Sequence, residues 1–236
     1  MYYSVLRLPN GTELKGGEAG STLKALTLHA AVNAGQEFTI ASAFSDYIEA
    51  EIWADPDGSL QITAGDALTY YRQDDAGNRT KVGVFYAEKP TRTKRNSYKV
   101  TAYDTMSKLD ADFSGWLHAN QAQFPKTIWQ LVQLACQRAG VALASSSLPI
   151  NGSYSVQAFY ADDLTCRQII SWAAEAAGCY AHMNADGKLQ FLTYADKRST
   201  VKITPDGASS STAYYADSLS YEDYTVKAIE KVQIRQ

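Results

Sequence analysis

The sequence predicts an α+β fold: an N-terminal antiparallel β-barrel or sandwich, then a small α/β domain with two repeated helices, then the start of a further β segment. Three observations predict it. Apolar and polar residues alternate through the first half, as in strands that bury one face. A helix-like segment occurs twice, at 127–140 and 165–178. Alternation returns at 225–235. The predicted domains are 1–115, a β-barrel domain; 124–195, the α/β domain; and 196–236, a linker and strands that begin or complete a second barrel.

The first half of the chain predicts a series of short strands. In one of them Ile48, Ala50 and Ile52 alternate with two glutamates and a tryptophan. Glycine and Asx residues at 9–11, 55–58 and 74–78 allow the chain to reverse between strands. Short strands at this spacing are typical of a small sandwich or barrel. The other alternating patterns lie at 5–8, 26–29, 68–71, 82–86 and 98–103.

The periodicity changes after Asp104. This residue can cap a short helix that carries Met106 and Leu109. A polar connection is then expected at 117–123, before the repeated helices begin.

The repeat predicts two helices with the same ends. Thr127 and Thr165 stand where an N-cap belongs, and Gln130 and Gln168 complete capping boxes. A glycine ends each copy, at 140 and 178, where a left-handed C-cap is expected. Strand-like residues follow each helix, and a turn at 184–187 leads into a last strand of this domain. The predicted buried faces are Ile128, Leu131, Val132 and Ala135 in the first helix and Ile169, Trp172, Ala173 and Ala176 in the second.

Composition argues against several classes of protein. The 236 residues have a net charge of −3, without the basic excess of a nucleic-acid coat, so no sequence-specific nucleic-acid partner is expected. No apolar run long enough for a membrane span occurs, so no membrane partner is expected. The three cysteines, Cys136, Cys166 and Cys179, lack C-x-x-C spacing, which predicts buried free thiols.

Signatures of common active sites are missing from the sequence. None of the three histidines stands in a metal-binding motif, and no nucleophile elbow, P-loop or dinucleotide fingerprint occurs. The turn at 55–58 lacks the later ligands of a calcium loop. We therefore predict no catalytic residue, no cofactor and no metal ligand, and a protein that is not an enzyme.

Aromatic and basic residues are the candidates for a binding surface. Sixteen tyrosines and four tryptophans favour half-buried strand faces and interface cores. The aromatic candidates could instead pack inside their own sheet. The basic run at 89–96 is either a solvated hairpin loop or a contact with an acidic partner surface or, less favoured, with phosphate. The possible subunit-interface residues are Trp53, Tyr70, Tyr71, Tyr86, Arg92, Lys94 and Arg95.

Two stretches together resemble the family of phage tail-tip, or baseplate hub, proteins. Residues 86–110, YAEKPTRTKRNSYKVTAYDTMSKLD, resemble the end of the first barrel in that family, where a Y-x-V-T-A-Y-D strand leads into a helix ending K-L-D. Residues 175–189, EAAGCYAHMNADGKL, resemble its α/β domain. The resemblance covers roughly residues 25–236.

This resemblance implies a structural component of a phage or prophage tail tip, located in the virion tail after assembly in the bacterial cytoplasm. It implies a homotrimeric ring around a central channel. The implied partners are further copies of the chain, a distal tail or tube protein, and a spike, fibre or tape-measure protein. The family's second barrel would begin here at about Ser218, so we expect a fragment of a longer protein.

Two other functions remain open from the sequence. A carbohydrate- or peptide-binding module predicts a shallow groove of exposed tyrosines and tryptophans. A cell-wall hydrolase with an unrecognised site predicts a pocket in which at least two of His118, His182, Asp162 and Glu175 converge.

Overall fold

The computed structural model describes residues 2–17, 22–32, 41–54 and 62–193, together with the backbone of two short strands nearer the C-terminus. Residues 1–194 form one compact unit, and residues 195–236 form a second. The first unit contains the large sheet and the repeated helices.

Eight strands of the first unit form one antiparallel sheet, which confirms the β-rich half of the predicted α+β fold. The hydrogen-bonded order is β2-β1-β5-β6-β8-β4-β3, and β7 also pairs with β8. Within the described residues this order does not return to its first strand, so the sheet is open and not a closed barrel. The strands are Tyr2–Arg7 (β1), Glu13–Lys15 (β2), Leu23–His29 (β3), Tyr47–Trp53 (β4), Ala67–Asp74 (β5), Arg79–Ala87 (β6), Thr91–Lys94 (β7) and Ser97–Asp104 (β8).

The sheet curls around an apolar core. Ile48, Ala50 and Ile52 of β4 are buried, whereas the residues between them are more exposed, as the alternation predicted. Side chains from six further strands join the same cluster. The two ends of the strand order approach each other, because a Cβ on Gly16 would lie 3.3 Å from the carbonyl oxygen of Leu23. Burying each large apolar side chain contributes about 2 kcal/mol, which makes this cluster the main support of the sheet.

A 3-10 helix, Thr105–Asp110, leaves β8 without a connecting loop. Asp104 Oδ1 accepts a hydrogen bond of 3.0 Å from the Met106 backbone N–H, which confirms the predicted cap. Met106 and Leu109 are fully buried, but in a second core that the repeated helices build.

The polar connection predicted at 117–123 is wrong. A short helix, Ser114–Ala119 (α1), and a 3-10 turn, Gln121–Gln123, occupy this region. The Asp112 carboxylate accepts hydrogen bonds of 3.0 Å from the backbone N–H groups of Ser114 and Gly115, so the first turn is satisfied. Leu117 is fully buried and anchors the helix.

The two repeated helices begin as the sequence predicted, and the first of them also ends as predicted. They are Ile128–Ala139 (α2) and Cys166–Ala176 (α3). Both capping boxes form, each with backbone N–H to threonine Oγ1 distances of 3.2 Å. Gly140 caps α2 with φ of 65°, the left-handed conformation that glycine adopts at low cost. The C-cap of α3 is instead Ala177, with φ of −96°, and left-handed Gly178 follows it with φ of 58°.

The repeated helices pack together against an antiparallel hairpin, Cys179–Met183 (β11) and Leu189–Thr193 (β12). A two-residue pair, Lys126–Thr127 (β9) with Ser155–Val156 (β10), lies at the start of α2. The buried residues of α3 are Cys166, Ile169, Ile170, Ala173 and Ala174. The prediction that Trp172 and Ala176 belong to the buried face is wrong. The buried positions include Ile170 and Ala174 in their place, so the face is rotated around the helix axis from the predicted one.

The second unit contains one described element, a parallel pair of Thr204–Pro205 (β13) and Ala213–Tyr214 (β14). The rest of the predicted domain 196–236, including the strand expected at 225–235 and the second barrel expected from Ser218, lies outside the described residues. The turn predicted at 55–58 lies outside them as well.

Candidate interaction surfaces

The hairpin between β7 and β8 forms one wall of an open groove of about 420 Å³. Arg92 shapes this hairpin, because its guanidinium donates hydrogen bonds to the backbone carbonyls of Lys94 and Arg95. The groove is lined by Lys24, Glu51, Trp53, Lys94, Arg95, Asn96 and Ser97. Three of the predicted interface residues, Trp53, Lys94 and Arg95, therefore lie together, and Arg92 holds the loop that carries two of them.

The groove offers an aromatic face bordered by positive charge. Trp53 is 50% exposed, and Lys24 Nζ lies 4.6 Å from the centroid of its ring. Glu51 accepts a 2.9 Å hydrogen bond from Ser97 Oγ. Within the described residues neither Lys94 nor Arg95 pairs with a carboxylate. We name Lys24, Trp53, Lys94 and Arg95 the basic groove.

The three tyrosine candidates do not join this groove. Tyr70 is buried in the core of its own sheet, and its hydroxyl lies 3.3 Å from Ser4 Oγ. Tyr71 is half-buried on β5. Tyr86 is half-buried on β6, with Lys108 Nζ 3.7 Å from its ring centroid. For Tyr70 the alternative of packing inside its own sheet is the one observed, and Tyr71 and Tyr86 remain predicted interface residues.

Residues 105–193, the helical half, carry exposed aromatic residues that the sequence did not predict to be exposed. Tyr160 is 77% exposed in the loop that leads to α3, and Trp172 is 47% exposed on α3 itself. Trp172 packs edge-on against Phe159, with ring centroids 6.4 Å apart, above a small apolar groove between α2 and α3. A helical wheel centred on Ile170 and Ala173 would have placed Trp172 at the rim.

The loop at Tyr160–Asp163 is the acidic counterpart of the basic groove. Asp162 is 92% exposed, and its carboxylate lies 3.6 Å from His118 Nε2. The His118 ring also lies 5.7 Å from the ring of Tyr160. Within the described residues Asp163 has no cationic partner. We name Tyr160, Asp162 and Asp163 the acidic loop.

Of the four residues named for a hydrolase site, the structure pairs two. His118 and Asp162 meet at the exposed surface just described. His182 lies on β11 beside Asp46, with Nε2 3.2 Å from Oδ2, and Glu175 is exposed on α3. No group of three His, Cys, Asp or Glu in the described ranges is arranged to hold a metal ion.

All three thiols are buried and free. Burial raises the pKa of Cys136 to about 12 and that of Cys179 to about 11. Burial also raises the pKa of Cys166. These thiols are therefore protonated at neutral pH and poorly nucleophilic.

A polar cluster joins the sheet to the helical half inside the first unit. Ser45 Oγ donates a 2.7 Å hydrogen bond to Asp104, and the Asp104 N–H bonds the Asp46 carbonyl at 2.8 Å. Burial, reinforced by the nearby Asp46 carboxylate, raises the pKa of Asp104 to about 6. The hydrogen bond that the protonated His182 ring donates to the Asp46 carboxylate raises the pKa of His182. The cluster thus links residues of three distant segments, and the surroundings raise the pKa values of two of them, Asp104 and His182.

Comparison with known proteins gives matches among solved structures. A 43 kDa tail protein of prophage MuSo2 from Shewanella oneidensis aligns with a TM-score of 0.59 and 14% identity, over 86% of this chain and 59% of that protein. A tail protein from Neisseria meningitidis MC58 aligns with a TM-score of 0.54 and 13% identity, over 88% of this chain and 57% of that protein. The chain shares the fold of these tail proteins.

Other comparisons add nothing to this likeness. No protein-family model and no curated protein matches the sequence. The chain spans somewhat less than three fifths of the length of the two tail proteins. Among the described residues, no helix has the length and apolar character needed to cross a bilayer.

Proposed function

We propose that this chain is a structural component of a phage or prophage tail, placed at the tail tip as part of a ring. The observation that carries the proposal is the fold, which extends over 86% of the chain in common with one tail protein and 88% with another. In this proposal the ring is a homotrimer that joins the tail tube or distal tail protein to the spike or fibre apparatus.

In this proposal the exposed surfaces of the chain bind neighbouring subunits during assembly. Subunit interfaces bury aromatic residues at their centre and place charged residues at the rim, where they set orientation. The basic groove has this composition, with half-exposed Trp53 beside Lys24, Lys94 and Arg95. The exposed residues Tyr160 and Trp172 provide a second aromatic region on the helical half.

In this proposal the chain makes and breaks no covalent bond. A catalytic pair needs a water-excluding site in which its groups are held for reaction. His118 and Asp162 are instead open to solvent, and the three thiols are buried and protonated. His182 is held by Asp46 at the junction between the two cores.

Labelling of intact particles tests the placement at the tail tip. A tagged copy of the chain is produced in a lysogen that carries its gene, and purified tails are stained with gold-conjugated antibody. We expect label at the distal end of the tail. Particles that form normally without label, or label along the whole tube, would contradict the proposal.

The ring has a test of its own. Light scattering is measured on a version of the chain extended at its C-terminus, so that the strands expected from Ser218 onward are complete. We expect the mass of three subunits. A stable monomer at every concentration would count against a homotrimeric ring.

A further inference from the structure

We propose that the basic groove of one copy receives the acidic loop of the next copy, in a head-to-tail contact. This inference rests on the proposed function, and it specifies which two surfaces meet. The contact pairs Trp53 with Tyr160 at its centre, and Lys94 and Arg95 with Asp162 and Asp163 around them.

The two surfaces have complementary charge. Lys94 and Arg95 have no carboxylate partner within the described residues, although the chain as a whole is acidic, with a net charge of −3. On the acidic loop, Asp162 has the partly exposed His118 as its neighbour, and Asp163 forms no ion pair within the described residues. Bringing these two pairs together satisfies four exposed charges at the edge of one interface.

The two surfaces also have matching aromatic centres. Trp53 is 50% exposed and Tyr160 is 77% exposed, although both are large enough to dominate an interface when buried. Trp53 lines the groove with Lys24, Lys94 and Arg95, and Tyr160 lies two residues before Asp162 in the acidic loop. An aromatic pair shielded by ion pairs has the anatomy of a protein–protein hot spot.

The contact must form between copies, because the two surfaces lie at opposite ends of the first unit. Ser97 at the start of β8 lines the basic groove, and Asp104 at its end caps the 3-10 helix that enters the helical core. Eight residues of strand separate these ends by about 24 Å. The acidic loop belongs to the helical half and so cannot reach the groove of its own copy.

Such a contact is heterologous, since two different surfaces meet. Repeated around a rotation axis it closes a ring, and without closure it gives an open filament. A self-complementary patch would give a dimer instead. The arrangement therefore supplies the contact type that a ring at the tail tip requires.

Charge exchange between the two surfaces tests the inference. The first variant is Lys94→Glu/Arg95→Gln, and the second is Asp162→Lys/Asp163→Asn. Asparagine is chosen at 163 because φ there is 55°, a conformation that asparagine tolerates. The third variant combines all four changes. The control, Arg7→Gln/Lys15→Glu, makes the same change in net charge as the first variant at exposed residues outside both surfaces.

Sedimentation equilibrium at about 50 mM and about 500 mM salt measures self-association, and circular dichroism checks folding. We expect weak, reversible association of the unmodified chain at low salt, and a dissociation constant raised about tenfold in each of the first two variants. The combined variant should associate more tightly than either of the first two variants but less tightly than the unmodified chain, because one ion pair of reversed sign replaces the original two. The control should associate as the unmodified chain does.

The inference is overturned if the unmodified chain stays monomeric at low salt, if either reversal leaves association unchanged, or if the folded combined variant recovers none of it. These results leave the proposed function standing when tagged chain still labels tail tips. Conversely, a chain that associates as expected but never enters a tail would overturn the proposed function alone.

Discussion

At the scale of single residues, Asp104 shows what the sequence could and could not predict. Its role as the cap of the following helix was evident from its position before Met106 and Leu109, and the structure confirms it. Its burial was not evident, because Ser45 and Asp46 lie almost sixty residues earlier in the chain. A sequence pattern shows local hydrogen bonds, whereas desolvation depends on how distant segments pack.

Replacing Asp104 with asparagine should therefore stabilise the fold at high pH. The pKa of Asp104 is about 6 in the folded chain and 3.8 in the unfolded chain. The folded state therefore binds the proton more tightly, and the free energy of unfolding falls by about 3 kcal/mol as pH rises from below 3.8 to above 6. Asparagine keeps the oxygen that accepts from Ser45 and Met106 but carries no charge. Urea unfolding should show Asp104→Asn more stable at pH 8 and close to the unmodified chain near pH 4.

Asp163→Asn, at an exposed carboxylate, is the control for this measurement, and it should leave the pH dependence of unfolding unchanged. If Asp104→Asn is less stable than the unmodified chain at pH 8, the ionised carboxylate stabilises the fold and the role assigned to its burial is wrong.

At the scale of elements, the strands and repeated helices were predictable because their signals are local. A threonine, a glutamine three residues later and a closing glycine specify both ends of a helix without reference to the rest of the chain. The helix α1 was missed because six residues are too few to show a period. Its existence depends on the burial of Leu117 among residues of the repeated helices.

The repeat makes the two caps directly comparable. Thr127→Ala and Thr165→Ala each remove the acceptor of one 3.2 Å hydrogen bond and break one capping box. Each change should lower the free energy of unfolding by about 1 kcal/mol, measured by urea titration. Thr→Ser at the same positions keeps the hydroxyl and should cost much less. Equal losses for alanine and serine would show that the threonine methyl group, and not the cap, is responsible.

At the scale of the whole molecule, the sequence predicted domains at 1–115 and 124–195. The described residues form two hydrophobic cores, and both belong to one compact unit. The links between the cores are too distant in sequence to be predicted from patterns. Ser171 Oγ donates a 2.6 Å hydrogen bond to the carbonyl of Ala41, and Lys81 forms a 2.7 Å ion pair with Asp186. The candidate surfaces could be predicted only in part for the same reason. The sequence identified the basic hairpin, but the exposure of Tyr160 and Trp172 depends on how distant segments pack.

A substitution at Gly187 tests whether the two cores unfold together. This glycine lies in the turn between β11 and β12 with φ of 72°, and a Cβ there would lie 2.6 Å from Oγ1 of buried Thr105. Gly187→Ala should therefore cost about 3 kcal/mol, from backbone strain and from the displaced threonine. Gly77→Ala is the matched control, because φ is 85° but no atom lies within 4 Å of the added carbon, so it should cost about 1 kcal/mol.

The unfolding of Gly187→Ala is followed in one urea titration by tryptophan fluorescence and by far-UV circular dichroism. The urea midpoint should fall by the same amount with both probes, because the strain between the turn and Thr105 acts on both cores. Two separated transitions would show that the cores unfold independently and that the contacts between them contribute little.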